Sequence, residues 1–227
     1  MAKRQRYPTE ENKSSKFFMK RMVPKSDTQD YLYNTLKEST ITLCTGPAGT
    51  GKTYVAIGVA LEMLMENKID KIIVTKPILE AGDEKIGFLP GDVDLKILPH
   101  MEYIIDKIEE LVGVAICEKL IKNKQIIFSP TAYLRGRDFK YSFILIDEAQ
   151  NMTKNGLKLL MTRLGEGSIM SISGDSDQID LKVRSDSGLD WCVSKLEGRH
   201  SQISVVKFSN SDICRHPLIT DILNLLQ

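Results

Sequence analysis

Short apolar runs recur along the chain at 41–43, 71–75, 125–129, 143–147, 169–173 and 203–208, most of them rich in Ile, Val and Phe. They read as continuous rather than alternating, so each predicts a strand buried on both faces. Stretches with helical periodicity lie between and after them, around 53–66, 101–122, 154–164, 187–197 and 217–226. Ahead of the first strand, Ser26 or Asp27 predicts the cap of a helix running to about Lys37, with Tyr31, Leu32 and Leu36 on one face. Alternating strands and helices predict an α/β fold: a parallel sheet flanked by helices on both faces. Segment 76–100 departs from this rhythm, because Gly82, Gly87, Pro90, Gly91 and Pro99 break any regular element. Its apolar content, Ile78-Leu79 and Ile86-Gly87-Phe88-Leu89, favours an ordered functional loop over disorder.

The first strand runs into Cys44-Thr45-Gly46-Pro47-Ala48-Gly49-Thr50-Gly51-Lys52-Thr53, and an amphipathic helix follows. Gly, four residues, then Gly-Lys-Thr is the spacing of a phosphate-binding loop. Backbone N–H groups and a helix N-terminus surround the phosphates, Lys52 reaches the β/γ oxygens, and Thr53 reaches Mg²⁺. Glycine serves where the backbone needs positive φ or must approach a phosphate without a Cβ. The ligand class is therefore a nucleoside triphosphate, with Gly46, Pro47, Ala48, Gly49, Thr50, Gly51, Lys52 and Thr53 as its binding residues.

A second strand end carries two adjacent carboxylates, in Phe143-Ile144-Leu145-Ile146-Asp147-Glu148-Ala149-Gln150. In an open α/β sheet such an end meets the nucleotide. Asp147 is the candidate Mg²⁺ holder, and Glu148 the candidate base that orients and deprotonates the attacking water. A third strand ends in Gly174-Asp175-Ser176-Asp177-Gln178, where Gln178 is the candidate γ-phosphate sensor. Arg135 and Arg137 straddle Gly136 beyond the strand at 125–129. They read either as a solvated basic turn or as a backbone clamp for single-stranded nucleic acid, with Tyr133 to stack on a base and Lys76 extending the positive track.

With 227 residues, 42% hydrophobic and 27% charged, the chain suits one large α/β domain. Its apolar runs fall far short of the roughly 18–20 residues of a membrane span, and the start lacks a secretory apolar stretch. A cytoplasmic protein without membrane association is the expectation. The cysteines at 44, 117, 192 and 214 form no CxxC pair, and all four read as buried or incidental thiols. The net charge of +1 hides an asymmetry: residues 1–25 hold eight basic and two acidic side chains, a balance of +6 that leaves −5 for the rest. This segment reads as a separate basic arm, either solvated or collecting nucleic-acid phosphates. Phe17, Phe18 and Met19 tilt the balance toward docking onto something.

Taken in order, several motifs resemble the PhoH family from roughly residue 28 onward. They are the loop at 46–53, Lys76-Pro77-Ile78-Leu79-Glu80-Ala81-Gly82, Gly87-Phe88-Leu89-Pro90-Gly91-Asp92, Ala132-Tyr133-Leu134-Arg135-Gly136-Arg137, Asp147-Glu148-Ala149-Gln150-Asn151, Thr162-Arg163-Leu164-Gly165, Gly174-Asp175 with Gln178, and Arg215-His216-Pro217-Leu218. That family comprises RecA-like P-loop ATPases related to the ATP-binding domain of a large class of helicases. The resemblance implies ATP hydrolysis with Mg²⁺ and involvement of RNA or single-stranded nucleic acid, carried by a domain over 26–227. It also implies that Gln29 reads the adenine edge. Lys76 departs from the family's usual Arg, keeping the charge but losing bidentate geometry.

Arg215 and Arg163 are the candidate arginine fingers, cations that neutralise transition-state charge. The sheet consumes nearly all of the chain after residue 28, leaving no length for a second ATPase domain to supply one. A finger is therefore expected from a neighbouring subunit, and a homo-oligomer, as a hexameric ring, follows. The alternative function is a nucleotide-gated binding or assembly module with slow hydrolysis and no unwinding.

Overall fold

The computed structural model describes residues 17–77, 93–134, 136 and 138–214, with the backbone alone at 93–98 and 132. The basic segment 1–16, the motifs at 78–92, Arg135, Arg137, Arg215, His216 and the helix expected at 217–226 lie outside the described residues.

Six strands form one sheet: β1 (Ile41–Thr45), β2 (Lys71–Thr75), β3 (Ile126–Phe128), β4 (Ser142–Ile146), β5 (Ile169–Gly174) and β6 (Ile203–Lys207), in the order β3-β2-β4-β5-β1-β6. All five pairings are parallel, with Ile41 opposite Met170 and Ile203, and Phe143 opposite Ile72 and Ile169. The continuous apolar runs have a simple cause. Successive strand residues feed two cores, one on each face: Ile72, Val74, Phe143 and Leu145 enter the first, while Ile73, Ile144, Ile146 and Ile172 enter the second. A side chain of this size contributes about 1.5–3 kcal/mol when fully buried.

Helices α1 (Asp27–Glu38), α2 (Lys52–Met65), α3 (Val93–Val112) and α4 (Val114–Lys122) cover the first face, and α5 (Lys154–Met161) and α6 (Gly188–Leu196) the second. Ser26 caps α1, its side chain accepting from the Gln29 N–H, and Thr153 caps α5 through the Gly156 N–H. α2 is apolar nearly all round because it packs beneath α1 and α3 and against the sheet. Trp191 is partly buried against the second core, as expected of a packing residue.

Two expectations need correction. The single helix expected over 101–122 is two helices, because Gly113 adopts φ +83° and turns the chain between Val112 and Val114. In addition, the irregular segment ends earlier than expected: α3 already runs from Val93, with Pro99 inside it. An interior proline costs about 3 kcal/mol, and burial of Met101, Ile104, Ile108 and Leu111 from the same helix offsets this.

The described part of the basic segment packs against its own domain. Met22 is buried, Phe17 and Met19 lie against the first core, and the Lys20 N–H donates to the Leu111 carbonyl at 2.7 Å, whereas Phe18 is exposed. Among the described residues, no helix is long and apolar enough to cross a membrane.

Candidate functional site

Parallel strands align their carboxyl ends along one edge, and the order β4-β5-β1 brings three of those ends side by side. The Gly-rich loop leaves β1, Asp147 and Glu148 leave β4, and the run from Gly174 to Gln178 leaves β5. Together they line a cleft of about 490 Å³, with Lys25, Gln29, Tyr103 and Cys214 at its margins. That volume falls within the range of small-molecule sites, roughly 300–1,000 Å³.

Local strain shapes the loop. Gly51 has φ +83° and serves as the N-cap of α2; a Cβ there would stand 2.6 Å from Gln29 Nε2. Gly46, at φ +135°, passes so close to β6 that a Cβ would meet the Phe208 carbonyl oxygen at 2.4 Å. The first-turn N–H groups of α2 have no intrahelical partners and aim into the cleft with the positive end of the helix dipole. Lys52 folds over the loop and donates through Nζ to the carbonyls of Gly46 and Pro47, both at 2.7 Å. Burial lowers its pKa, while the nearby carboxylates of Asp175, Asp147 and Glu148 act against that shift.

The carboxylates occupy distinct settings. Asp147 is buried, and its oxygens accept from Thr53 Oγ1 at 3.2 and 3.1 Å and from Ser173 Oγ at 2.8 Å. The Tyr103 hydroxyl also donates to it. Glu148 is half-buried in the left-handed region, φ 53°, a conformation that costs a non-glycine residue about 1 kcal/mol or more. Gln150 Nε2 holds one Glu148 oxygen at 2.6 Å, and Gln150 Oε1 accepts from the Asp175 N–H. Asp175 Oδ2 in turn accepts from the Ala48 N–H at 3.0 Å and from Gln178 Nε2 at 2.8 Å. One hydrogen-bonded chain therefore links the candidate base, the candidate sensor and the phosphate loop.

Thr53 and Asp147 supply a hydroxyl and a carboxylate in mutual contact, an all-oxygen donor set suited to a hard cation such as Mg²⁺. No group of three or more His, Cys, Asp or Glu suited to a metal occurs among the described residues. A metal here would accordingly complete its shell with water and ligand oxygens, as Mg²⁺ does. Gln29 is buried beside the loop, donating from Nε2 to the Thr50 carbonyl at 2.9 Å and to Cys214 Sγ at 3.3 Å, while Oε1 accepts from the Lys25 N–H. It borders the cleft and braces the loop. Of the four thiols expected to be buried or incidental, Cys44, Cys117 and Cys192 are buried, and Cys214 is exposed and lines the cleft. Burial pushes the Cys44 thiol up to about 12.

Other expected residues lie apart. Tyr133, 55% exposed, sits on the turn after β3, and Lys76 directly follows β2, so both project from carboxyl ends of adjacent strands. Lys76 Nζ rests over the Tyr103 ring, 5.2 Å from its centroid. Arg163 lies at the opposite edge. Its carbonyl accepts from the Phe139 N–H ahead of β4, its Nε is buried without a partner, and its Nη1 stands 4.0 Å from Asp138. The structure does not bring it to the cleft of its own chain. Tyr103, Gln150 and Asp175 are site residues to which sequence reasoning gave no role. Gln150 and Asp175 each neighbour a recognised strand end, but nothing local marks Tyr103.

A family model described as PhoH-like protein matches residues 21–227. A PhoH-like protein of Bacillus subtilis is 40% identical over 188 residues, 83% of this chain and 58% of that protein. Protein PhoH of Escherichia coli is 32% identical over 199 residues, 87% of this chain and 56% of the relative. The chain thus spans rather more than half the length of these relatives. Among solved structures, a large terminase from a thermophilic bacteriophage aligns with a TM-score of 0.52 at 11% identity, covering 83% of this chain and 46% of that one, a likeness of fold. The parallel sheet with helices on both faces and a Gly-rich loop after β1 is the α/β fold expected from the sequence. With the matched segment spanning all three strand ends of the cleft, the chain belongs to the PhoH family.

Proposed function

We propose that this protein is a Mg²⁺-dependent ATPase whose turnover is coupled to RNA or another single-stranded nucleic acid. The observation that carries this reading is the convergence of Lys52, Thr53, Asp147 and Glu148 in one cleft. In this reading the loop amides and Lys52 hold the β- and γ-phosphates, and Thr53 and Asp147 hold the metal. The metal offsets charge that accumulates on the phosphate oxygens. Glu148, with one oxygen anchored by Gln150, directs the other at a water and takes its proton. Gln178, tied to Asp175, stands where a γ-phosphate would compete for its amide. Gln29 offers adenine its amide edge by exchanging the weak Cys214 contact. Lys76 and Tyr133, with Arg135 and Arg137 beyond the described residues, form the proposed strand-binding track.

A nucleotide-gated binding or assembly module with slow hydrolysis is the second reading. It is favoured by one observation: no arginine lines the cleft among the described residues. If no arginine of the same subunit reaches the cleft, a lone subunit lacks the cation that contributes about 10³–10⁵ in rate to related enzymes. The two readings are reconciled if a neighbouring copy supplies Arg163 or Arg215 in a homo-oligomer, as a ring would.

One experiment separates them: specific ATPase activity across protein concentrations, with and without single-stranded RNA. The first reading expects activity that rises as oligomers assemble and a further increase, about tenfold or more, with RNA. A rate that is flat in both dimensions, together with no strand binding, contradicts the nucleic-acid coupling and the shared site.

A further inference from the structure

Tyr103 comes from α3, outside the three loops that build the cleft, yet its hydroxyl donates to Asp147 Oδ2. The other donors to that carboxylate belong to the phosphate loop's helix and to β5: Thr53 Oγ1 reaches both oxygens and Ser173 Oγ reaches Oδ1. A carboxylate offers about four lone-pair positions, and three hydroxyls crowd them, two facing each oxygen with the single Thr53 proton shared between the pair. Mg²⁺ sheds water reluctantly, so a carboxylate beside it accepts from a metal-bound water or ligates it directly. Either role needs a lone pair. Thr53 retains its own reason to face the metal and Ser173 is fixed in the sheet, which leaves the Tyr103 contact as the one to be exchanged.

We propose that Tyr103 is a positioning residue that sets the metal affinity of the site, its hydroxyl occupying the Asp147 oxygen that loading of the metal requires. This rests on the metal–nucleotide reading above. Met101, Ile104 and Ile108 anchor α3 in the first core, so the exchange is a local swing of the Tyr103 side chain and not a loss of the helix. Lys76 sits over the same ring, so that swing removes the seat of the cation at the end of β2. Metal loading and the exposed track beside β2 are thereby linked, and such a linkage acts equally in both directions.

The test is a Mg²⁺ titration of the full chain with a fluorescent, slowly hydrolysed ATP analogue, reading analogue affinity in wild type, Tyr103→Phe and Tyr33→Phe. Phe keeps the ring beneath Lys76 and removes only the donor. Tyr103→Phe is expected to reach half-maximal binding at about one-tenth of the Mg²⁺, the effect of deleting one competing hydrogen bond to a charged group, with affinity in excess chelator unchanged. Tyr33, whose hydroxyl bonds Glu62 away from the cleft, is expected to show no shift. An equal or higher Mg²⁺ requirement in Tyr103→Phe overturns the proposal, as does a change of equal size in chelator or in Tyr33→Phe. If wild type itself shows no Mg²⁺-dependent binding, the metal–nucleotide reading falls first and takes this inference with it.

Discussion

Glu148→Gln is expected to bind ATP as tightly as wild type while releasing phosphate about 10²–10⁴-fold more slowly, the usual contribution of a positioned general base. The substitution is nearly isosteric and keeps the left-handed backbone at φ 53°. It removes only the ability to accept a proton. Gln150 Nε2, now 2.6 Å from a carboxylate oxygen, retains an acceptor in the new amide carbonyl, so the link onward to Asp175 persists. Single-turnover phosphate release beside equilibrium ATP binding separates the two effects. Hydrolysis at the parent rate would assign the base elsewhere.

Lys52→Ala is expected to remove most nucleotide affinity. Lys52 is buried, and its Nζ sits between the loop carbonyls and the carboxylates, where a phosphate would gain a desolvated cation. Truncating one partner of such a pair costs about 3 kcal/mol, or roughly 150-fold in Kd. The loop loses its two carbonyl contacts as well, yet Gly51 and Gly46 keep the backbone path through their own geometry and their close approach to Gln29 and Phe208. Calorimetric ATP binding, with far-UV circular dichroism to confirm the fold, checks this. Affinity within about threefold of wild type, well short of the loss expected for a buried charge pair, would mean that the loop does not hold the phosphates.

The residues that most influence these outcomes differ in how visible they are along the chain. The phosphate loop is legible because its ligands are contiguous: the neighbouring residues from Gly46 to Thr53 carry the chemistry, and their spacing alone specifies it. The strands are legible because burial on both faces leaves uninterrupted apolar runs, and the observed β2 matches its expected bounds of 71–75. The break at Gly113 is hidden because apolar periodicity continues on both sides, through Leu111 before it and Cys117 and Leu120 after it. Pro99 misleads in the opposite sense, since a single lost N–H bond is outweighed by the buried face of α3. Tertiary contacts leave no local trace at all. Tyr103 meets Asp147 across 44 residues and Asp175 meets Ala48 across 127, and only the strand order brings those ends together. Arg163 is carried by the parallel register to the far edge of the sheet, so only a neighbouring copy could present it to a cleft.

Phosphate release from ATP by the purified full chain, measured in Mg²⁺ and again in excess chelator, tests the central claim most directly. Steady release that requires Mg²⁺ and is lost in Glu148→Gln is the predicted result. Tight ATP binding with no release under any condition, including high protein concentration and added single-stranded RNA, would contradict it and leave a nucleotide-binding module without catalysis.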